Sequence, residues 1–204
     1  ASGQCVNGSC VTIPKIESVS PGDGALGNLI TISGEGFGDD EGTLTFLGTE
    51  SGDEVQVSAY ECNAIAQWSD SEIIVQVPSA AIDGPISVTT SDAEIERTDD
   101  DYGPSILDFD VNAIARPGIC LLAPNTEDYG SSIDVYGNSF GDSPGSSTFY
   151  FTNYEASAYN SWTNGQLEVV VPNVNSGSYR TQVFTGDYVC VAPDGVASST
   201  ICSD

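Results

Sequence analysis

The 204-residue chain contains no histidine and no methionine, and only four basic residues (Lys15, Arg97, Arg116 and Arg180) stand against thirty carboxylates. Each shortage excludes a class of chemistry. Without histidine, neither a Ser-His nor a Cys-His nucleophilic triad can be assembled. The six cysteines include no Cys-x-x-Cys pair, so the ligand spacing of a zinc site is missing as well. No Gly-x-x-x-x-Gly-Lys stretch is present to cradle a phosphate. A formal net charge of -26 repels nucleic-acid backbones and anionic membrane surfaces alike. No apolar run approaches the ~20 residues that cross a bilayer as a helix. The first residue is Ala1, which reads as the start of a mature chain freed of its signal peptide, and so as an extracellular or cell-surface protein.

What is present is material for a packed β fold. Hydrophobic residues make up 39% of the chain, enough for a core. Two segments repeat each other. Pro14 and Pro21 recur as Pro117 and Pro124, both 103 residues on. Ile30-Thr31-Ile32-Ser33-Gly34-Glu35-Gly36-Phe37-Gly38-Asp39 recurs at the same offset as Ile133 to Asp142, with Gly137, Phe140 and Gly141 in register. Trp68 to Pro78 recurs as Trp162 to Pro172, at an offset of 94, so the second copy is nine residues shorter between its Phe-Gly-Asp and its tryptophan. Both copies read as short alternating strands closed by Gly and Pro, with no helical period, which predicts an all-β protein of two β-sandwiches.

These motifs resemble the IPT/TIG domain, an immunoglobulin-like module found in plexins and many bacterial surface proteins. The residues carrying the resemblance are Ile16 to Pro21, Ile30 to Gly38 and Trp68 to Pro78, with their counterparts in the second copy. The resemblance implies two IPT/TIG-type sandwiches in tandem. The expected organisation is an N-terminal hairpin over 1–13, a first sandwich over 14–98, an acidic linker with an extra strand over 99–116, and a second sandwich over 117–204. Gly34 and Gly137 are expected where a bulge or positive φ suits only glycine. Phe37 and Phe140 are expected to fold back over the sandwich end. Trp68 and Trp162 fit core packing better than sugar-stacking platforms.

The cysteines read as disulfides of an oxidising compartment. In Cys5-Val6-Asn7-Gly8-Ser9-Cys10, Asn-Gly is the favoured two-residue hairpin loop, which sets Cys5 opposite Cys10 and predicts their disulfide. The same stretch holds an Asn7-Gly8-Ser9 glycosylation sequon, for which a tight turn is the preferred reading. Among Cys62, Cys120, Cys190 and Cys202 the pairing stays open. Neighbouring strands of an immunoglobulin-like sandwich favour a bridge within the last three, with Cys62 competing for the one left over, and a bridge joining modules or subunits as the further alternative.

Between the repeats, Leu107-Asp108-Phe109-Asp110-Val111-Asn112 alternates apolar and acidic residues. It reads first as a closing strand of the first module or a linker strand, and otherwise as a strand that adds to another molecule's sheet. Asp99, Asp100, Asp101, Asp108 and Asp110 are candidate calcium ligands, with a solvated acidic linker as the preferred reading. No cofactor is required. Thirty carboxylates leave glycosidase-type pairs open by composition, but two compact sandwiches promise no cleft, so the chain reads as non-enzymatic. The main expectation is a secreted structural subunit that self-assembles, as a homo-oligomer or polymer, into a filament or surface layer through strand-edge contacts. The alternative is an adhesin or carbohydrate-binding module pair, with Tyr150, Tyr154 and Tyr159 stacking on a glycan or other cell-surface ligand.

Overall fold

The computed structural model describes residues 3–6, 9–49, 53–98, 108–185, 188–191 and 201–203, with the backbone alone at 3–6, 9–12, 188–191 and 201–203. Among these residues every regular element is a strand. The first half of the chain contributes β1 (Gly3–Val6), β2 (Ser9–Thr12), β3 (Lys15–Ser20), β4 (Asp23–Ala25), β5 (Leu29–Glu35), β6 (Thr43–Leu47), β7 (Glu54–Val57), β8 (Glu61–Cys62), β9 (Ile65–Ala66), β10 (Glu72–Gln76), β11 (Ser87–Thr89), β12 (Ile95–Arg97) and β13 (Asp110–Asn112). The second contributes β14 (Gly118–Ala123), β15 (Ser132–Asn138), β16 (Thr148–Phe151), β17 (Tyr154–Glu155), β18 (Ala158–Trp162), β19 (Gln166–Val170), β20 (Thr181–Thr185), β21 (Tyr188–Val191) and β22 (Ile201–Ser203).

The chain divides into two compact units, one of residues 1–61 and 66–113, the other of 62–65 and 114–204. In the first, a sheet ordered β10-β5-β3 faces one ordered β12-β11-β6-β7. Its core takes Ile30, Ile32, Ile73 and Val75 from one sheet and Leu44, Phe46 and Val88 from the other, all almost fully buried. In the second, β14-β15-β19-β18 faces β17-β16-β20-β21-β22 around Ile133, Val135, Leu167, Val169, Phe149 and Val183. Each unit is an immunoglobulin-like β-sandwich. The period-2 alternation of strands such as β6 and β16 places every second side chain inward, and that burial supplies the driving force.

The repeat extends to individual hydrogen bonds. Trp68 Nε1 donates to the Gly38 carbonyl at 2.9 Å, and Trp162 Nε1 donates to that of Phe140 at 3.1 Å. Both indoles are half-buried and pack on their cores, so they are core residues rather than exposed platforms. The Gly38 amide donates to Asp70 Oδ1 and the Gly141 amide to Asn164 Oδ1, each at 3.0 Å. Phe37 and Phe140 are buried as expected. Gly34 and Gly137 are needed for another reason than expected. Neither has positive φ. A Cβ at Gly34 would overlap the Lys15 carbonyl and the Phe37 ring, and one at Gly137 the Gly118 carbonyl and the Phe140 ring. The bulge lies on the partner strands, between Ile16 and Ser18 and between Ile119 and Leu121.

The second copy is shorter at two places: two residues separate β16 from β17 where six separate β6 from β7, and the stretch before its tryptophan lacks a small hairpin. Between β7 and β10 the chain forms the small β8–β9 hairpin, whose residues 62–65 group with the second unit and whose turn residues Asn63 and Ala64 both have positive φ, the geometry of a type I′ turn. In the second unit the much shorter β17 runs into β18 without it. That extra hairpin carries Cys62, which is disulfide-bonded to Cys120. This is one of the pairings the sequence left open. At the N-terminus Cys5 lies opposite Cys10 and Val6 opposite Ser9, the expected hairpin register, while Cys190 lies opposite Cys202. The side chains of those four cysteines, and Asn7 and Gly8 of the sequon, lie outside the described residues.

Candidate functional site

The extra strand near residue 110 belongs to the first unit. Its β13 pairs in parallel with β4, with Asp110 opposite Asp23 and Asn112 opposite Ala25. Phe109 exchanges backbone hydrogen bonds with Gly84 at 2.8 and 3.0 Å, and its ring is 1% exposed, edge-on to Phe46 at 6.4 Å. Val111 packs on the same core. The Val111 amide donates to Asp83 Oδ1, and Asn112 Nδ2 donates to Asp23 Oδ2. Leu107 lies outside the described residues.

Of the proposed calcium ligands only Asp108 and Asp110 are among the described residues. Asp99, Asp100 and Asp101 lie outside the described residues, and Asp108 and Asp110 are both exposed. Among the described residues no group of three or more His, Cys, Asp or Glu side chains is placed to hold a metal ion.

Of the three tyrosines singled out as glycan platforms, two are engaged in packing. Tyr159 is half-buried against Trp162, with ring centroids 5.2 Å apart, and its hydroxyl accepts the Phe149 amide at 2.8 Å. Burial holds its phenol above the ordinary tyrosine pKa. Tyr150 is half-buried edge-on to Phe184 at 5.2 Å. Tyr154 alone is well exposed, at 49%, and its ring meets that of Tyr179 at 6.1 Å.

Tyr179 opens onto a feature the sequence did not promise, a groove of about 440 Å³ in the second sandwich. Its floor is the end of the core, with Ile119, Ile133, Phe151 and Val171, and Thr181 lies beside them. One wall is the turn after β14, carrying Asn125, Thr126, Glu127, Asp128 and Tyr129. The other is the segment before β20, carrying Asn175, Ser176, Ser178 and Tyr179. Tyr129 is 64% exposed. The Tyr179 hydroxyl donates to the Asn175 carbonyl, which fixes the ring in the wall. Thr181 is 4% exposed, and its Oγ1 has no hydrogen-bond partner among the described residues. Aromatic faces beside amides, hydroxyls and carboxylates over an apolar floor suit a neutral polyhydroxylated ligand, whose C–H faces stack and whose hydroxyls bond. Sequence reading missed Tyr129 and Tyr179, whose one available signal was Tyr129 standing at Leu26's place in the repeat.

The IPT/TIG domain pattern matches residues 14–105 and 120–200. The chain belongs to the IPT/TIG domain family. Within curated proteins, the sequence is 41% identical over 70 residues to cyclomaltodextrin glucanotransferases of Bacillus sp. (strain 1-1) and of Niallia circulans. The match takes in 34% of this chain and 8% of each of those enzymes. Similar solved structures include SGBP-B from a complex xyloglucan utilization locus in Bacteroides uniformis, at 17% identity and a TM-score of 0.33, covering 88% of this chain and 48% of that one. Another is the gamma-CGTase of alkalophilic Bacillus clarkii, at 18% identity and a TM-score of 0.32, covering 97% and 28%. Both structural likenesses are too distant to bear on function. Assembly of these IPT/TIG domains into a filament or layer draws no support from the fold, the groove or the relatives.

Proposed function

We propose that the chain is a non-catalytic, carbohydrate-binding pair of IPT/TIG domains from a secreted or cell-surface protein. The observation that carries this reading is the groove of the second domain, where Tyr129 and Tyr179 stand beside Asn125, Asp128, Asn175 and Ser178, with Tyr154 against the Tyr179 ring. The sequence relatives support it, since their name describes enzymes acting on glucans and the shared stretch is a small part of each. The Cys62–Cys120 disulfide suits an oxidising, extracellular compartment. Among the described residues no helix is long and apolar enough to cross a membrane. The net charge of -26 selects neutral over anionic glycans, because a uronic or sulfated chain meets a repulsive field.

The test is a glycan array followed by titration calorimetry with neutral oligosaccharides. Binding of a neutral glycan is expected, weakened about tenfold, or ~1.4 kcal/mol, by Tyr129→Ala. An array on which no neutral glycan is retained would refute the reading.

A further inference from the structure

The groove has a counterpart in the first domain, and there the chain itself fills it. The turn framework is the same in both. The Gly27 amide donates to the Val77 carbonyl as that of Gly130 does to Val171, and the Val77 amide returns to Asn28 as that of Val171 does to Ser131. Opposite the turn, Val88 pairs with Leu44 and Val183 with Phe149. Extending the first register by two residues puts Ile86 opposite Phe46, as Thr181 is opposite Phe151. In the first domain Phe109 lies on Phe46, and its strand β13 lies along β4. In the second, among the described residues, no strand pairs with residues 126–128, the counterpart of β4.

The chemistry of the slot changes between the copies. Ile86 is matched by Thr181, Gly84 by Tyr179, Leu26 by Tyr129 and Gly22 by Asn125. An apolar slot for a phenyl ring has become an aromatic-walled slot with a buried hydroxyl at its base. A buried hydroxyl without a partner is disfavoured unless a bound group completes it.

We infer that the second domain's slot binds the terminal sugar ring of a neutral glycan, inserted where the first domain inserts Phe109, with Thr181 Oγ1 bonding a ring hydroxyl. The inference deepens the carbohydrate reading and rests on it. Thr181 is 4% exposed and lines the groove beside its apolar floor, so an end ring is the one inferred, since it can insert there without the chain continuing on both sides. The first domain, its slot filled by β13, binds no glycan, so the chain carries one site despite two repeats.

The experiment uses the full chain and titration calorimetry with maltoheptaose, cellohexaose and a xyloglucan heptasaccharide, each compared with cyclomaltoheptaose, which has no end. One linear probe is expected to bind at one site per chain, with cyclomaltoheptaose at least tenfold weaker. Thr181→Val, which keeps the shape and removes the hydroxyl, is expected to raise the melting temperature of the free protein while weakening that probe about tenfold. Thr181→Ser, which keeps the hydroxyl, is expected to retain most of the affinity. Equal binding of the cyclic glucan, two sites per chain, or unchanged affinity in Thr181→Val would overturn the end-ring slot and leave the carbohydrate reading standing. Failure of the unmodified chain to bind any glycan would overturn both. Saturable binding of a synthetic peptide of residues 106–113 that displaces the sugar probe would show the slot to be a strand acceptor instead, and would also overturn the inference.

Discussion

The two domains share a turn and differ in what lies on it. In the first, the turn after β3 is covered by β13, and Pro21 and Gly24 are buried. In the second, the matching Pro124 and Glu127 are exposed, and a groove lies between that turn and the segment before β20. The frame beneath is alike: each tryptophan Nε1 donates to a carbonyl of the Phe-Gly turn, and each turn glycine amide to an Asp or Asn side chain. Duplication kept the sandwich because its core and its hydrogen bonds leave few substitutions open. What followed the last shared strand was free to diverge. In the first copy the chain returns to β4 as β13, whereas in the second β22 adds to the edge of the sheet beside β21.

The comparison can be broken most forcefully at Phe109. Each domain holds one tryptophan, so a Trp68→Phe or Trp162→Phe background reports the unfolding of the other domain alone. Phe109→Ala should cost the first domain about 3–5 kcal/mol, read by denaturant unfolding through Trp68, and leave the Trp162 transition in place. An unchanged Trp68 midpoint would mean that β13 is not what completes the first sandwich. Next in size is the disulfide. Cys62→Ala with Cys120→Ala should cost about 2–4 kcal/mol, and because residues 62–65 group with the second unit, the loss should fall on the Trp162 transition. A loss seen only through Trp68 would assign the bridge to the wrong unit.

A smaller effect tests the polar exchange in the slot. Ile86→Thr places in the first domain the residue the second one has, in an apolar core shared with Phe46 and Phe109, and should cost about 1–3 kcal/mol. A neutral result would show that the slot tolerates a hydroxyl without a ligand and would weaken the argument from Thr181. Alkaline pH should destabilise both domains. Burial holds the phenols of Tyr60 in the first and Tyr159 in the second above the ordinary value, so the unfolded chain ionises first. Stability is therefore full below about pH 10 and lost as pH rises beyond it. Midpoints measured at pH 8 and pH 11 through each tryptophan should both fall, and a fall in one alone would contradict this symmetry. The smallest expected effect is that of calcium. Adding it, or a chelator, should leave both midpoints where they are, whereas a rise on addition would give Asp99–Asp101 with Asp108 and Asp110 the metal role that acidic spacing suggests.

Much of the fold was legible because its signals are local. Alternating strands, the Gly34 and Gly137 positions and the recurring Trp-to-Pro segments each reflect constraints acting within a few residues or between matching positions. The register that sets Cys5 opposite Cys10 follows from a two-residue turn. The site was far less legible. Tyr150 and Tyr159 look like surface aromatics in sequence, yet each is drawn into packing by a neighbour on the same or an adjacent strand. Tyr129 and Tyr179 become a pair of walls only because turn and strand approach come together across fifty residues of chain.

By itself, then, the sequence determined the β class, the duplication and the family, since these depend on composition and period. Only the tertiary structure decided that Cys62 meets Cys120, that Phe109 fills the slot of the first domain, and that the second domain's slot holds a buried Thr181 hydroxyl with no partner among the described residues. Those outcomes turn on which segments return to which edge, a choice between contacts distant in the chain that no local pattern encodes.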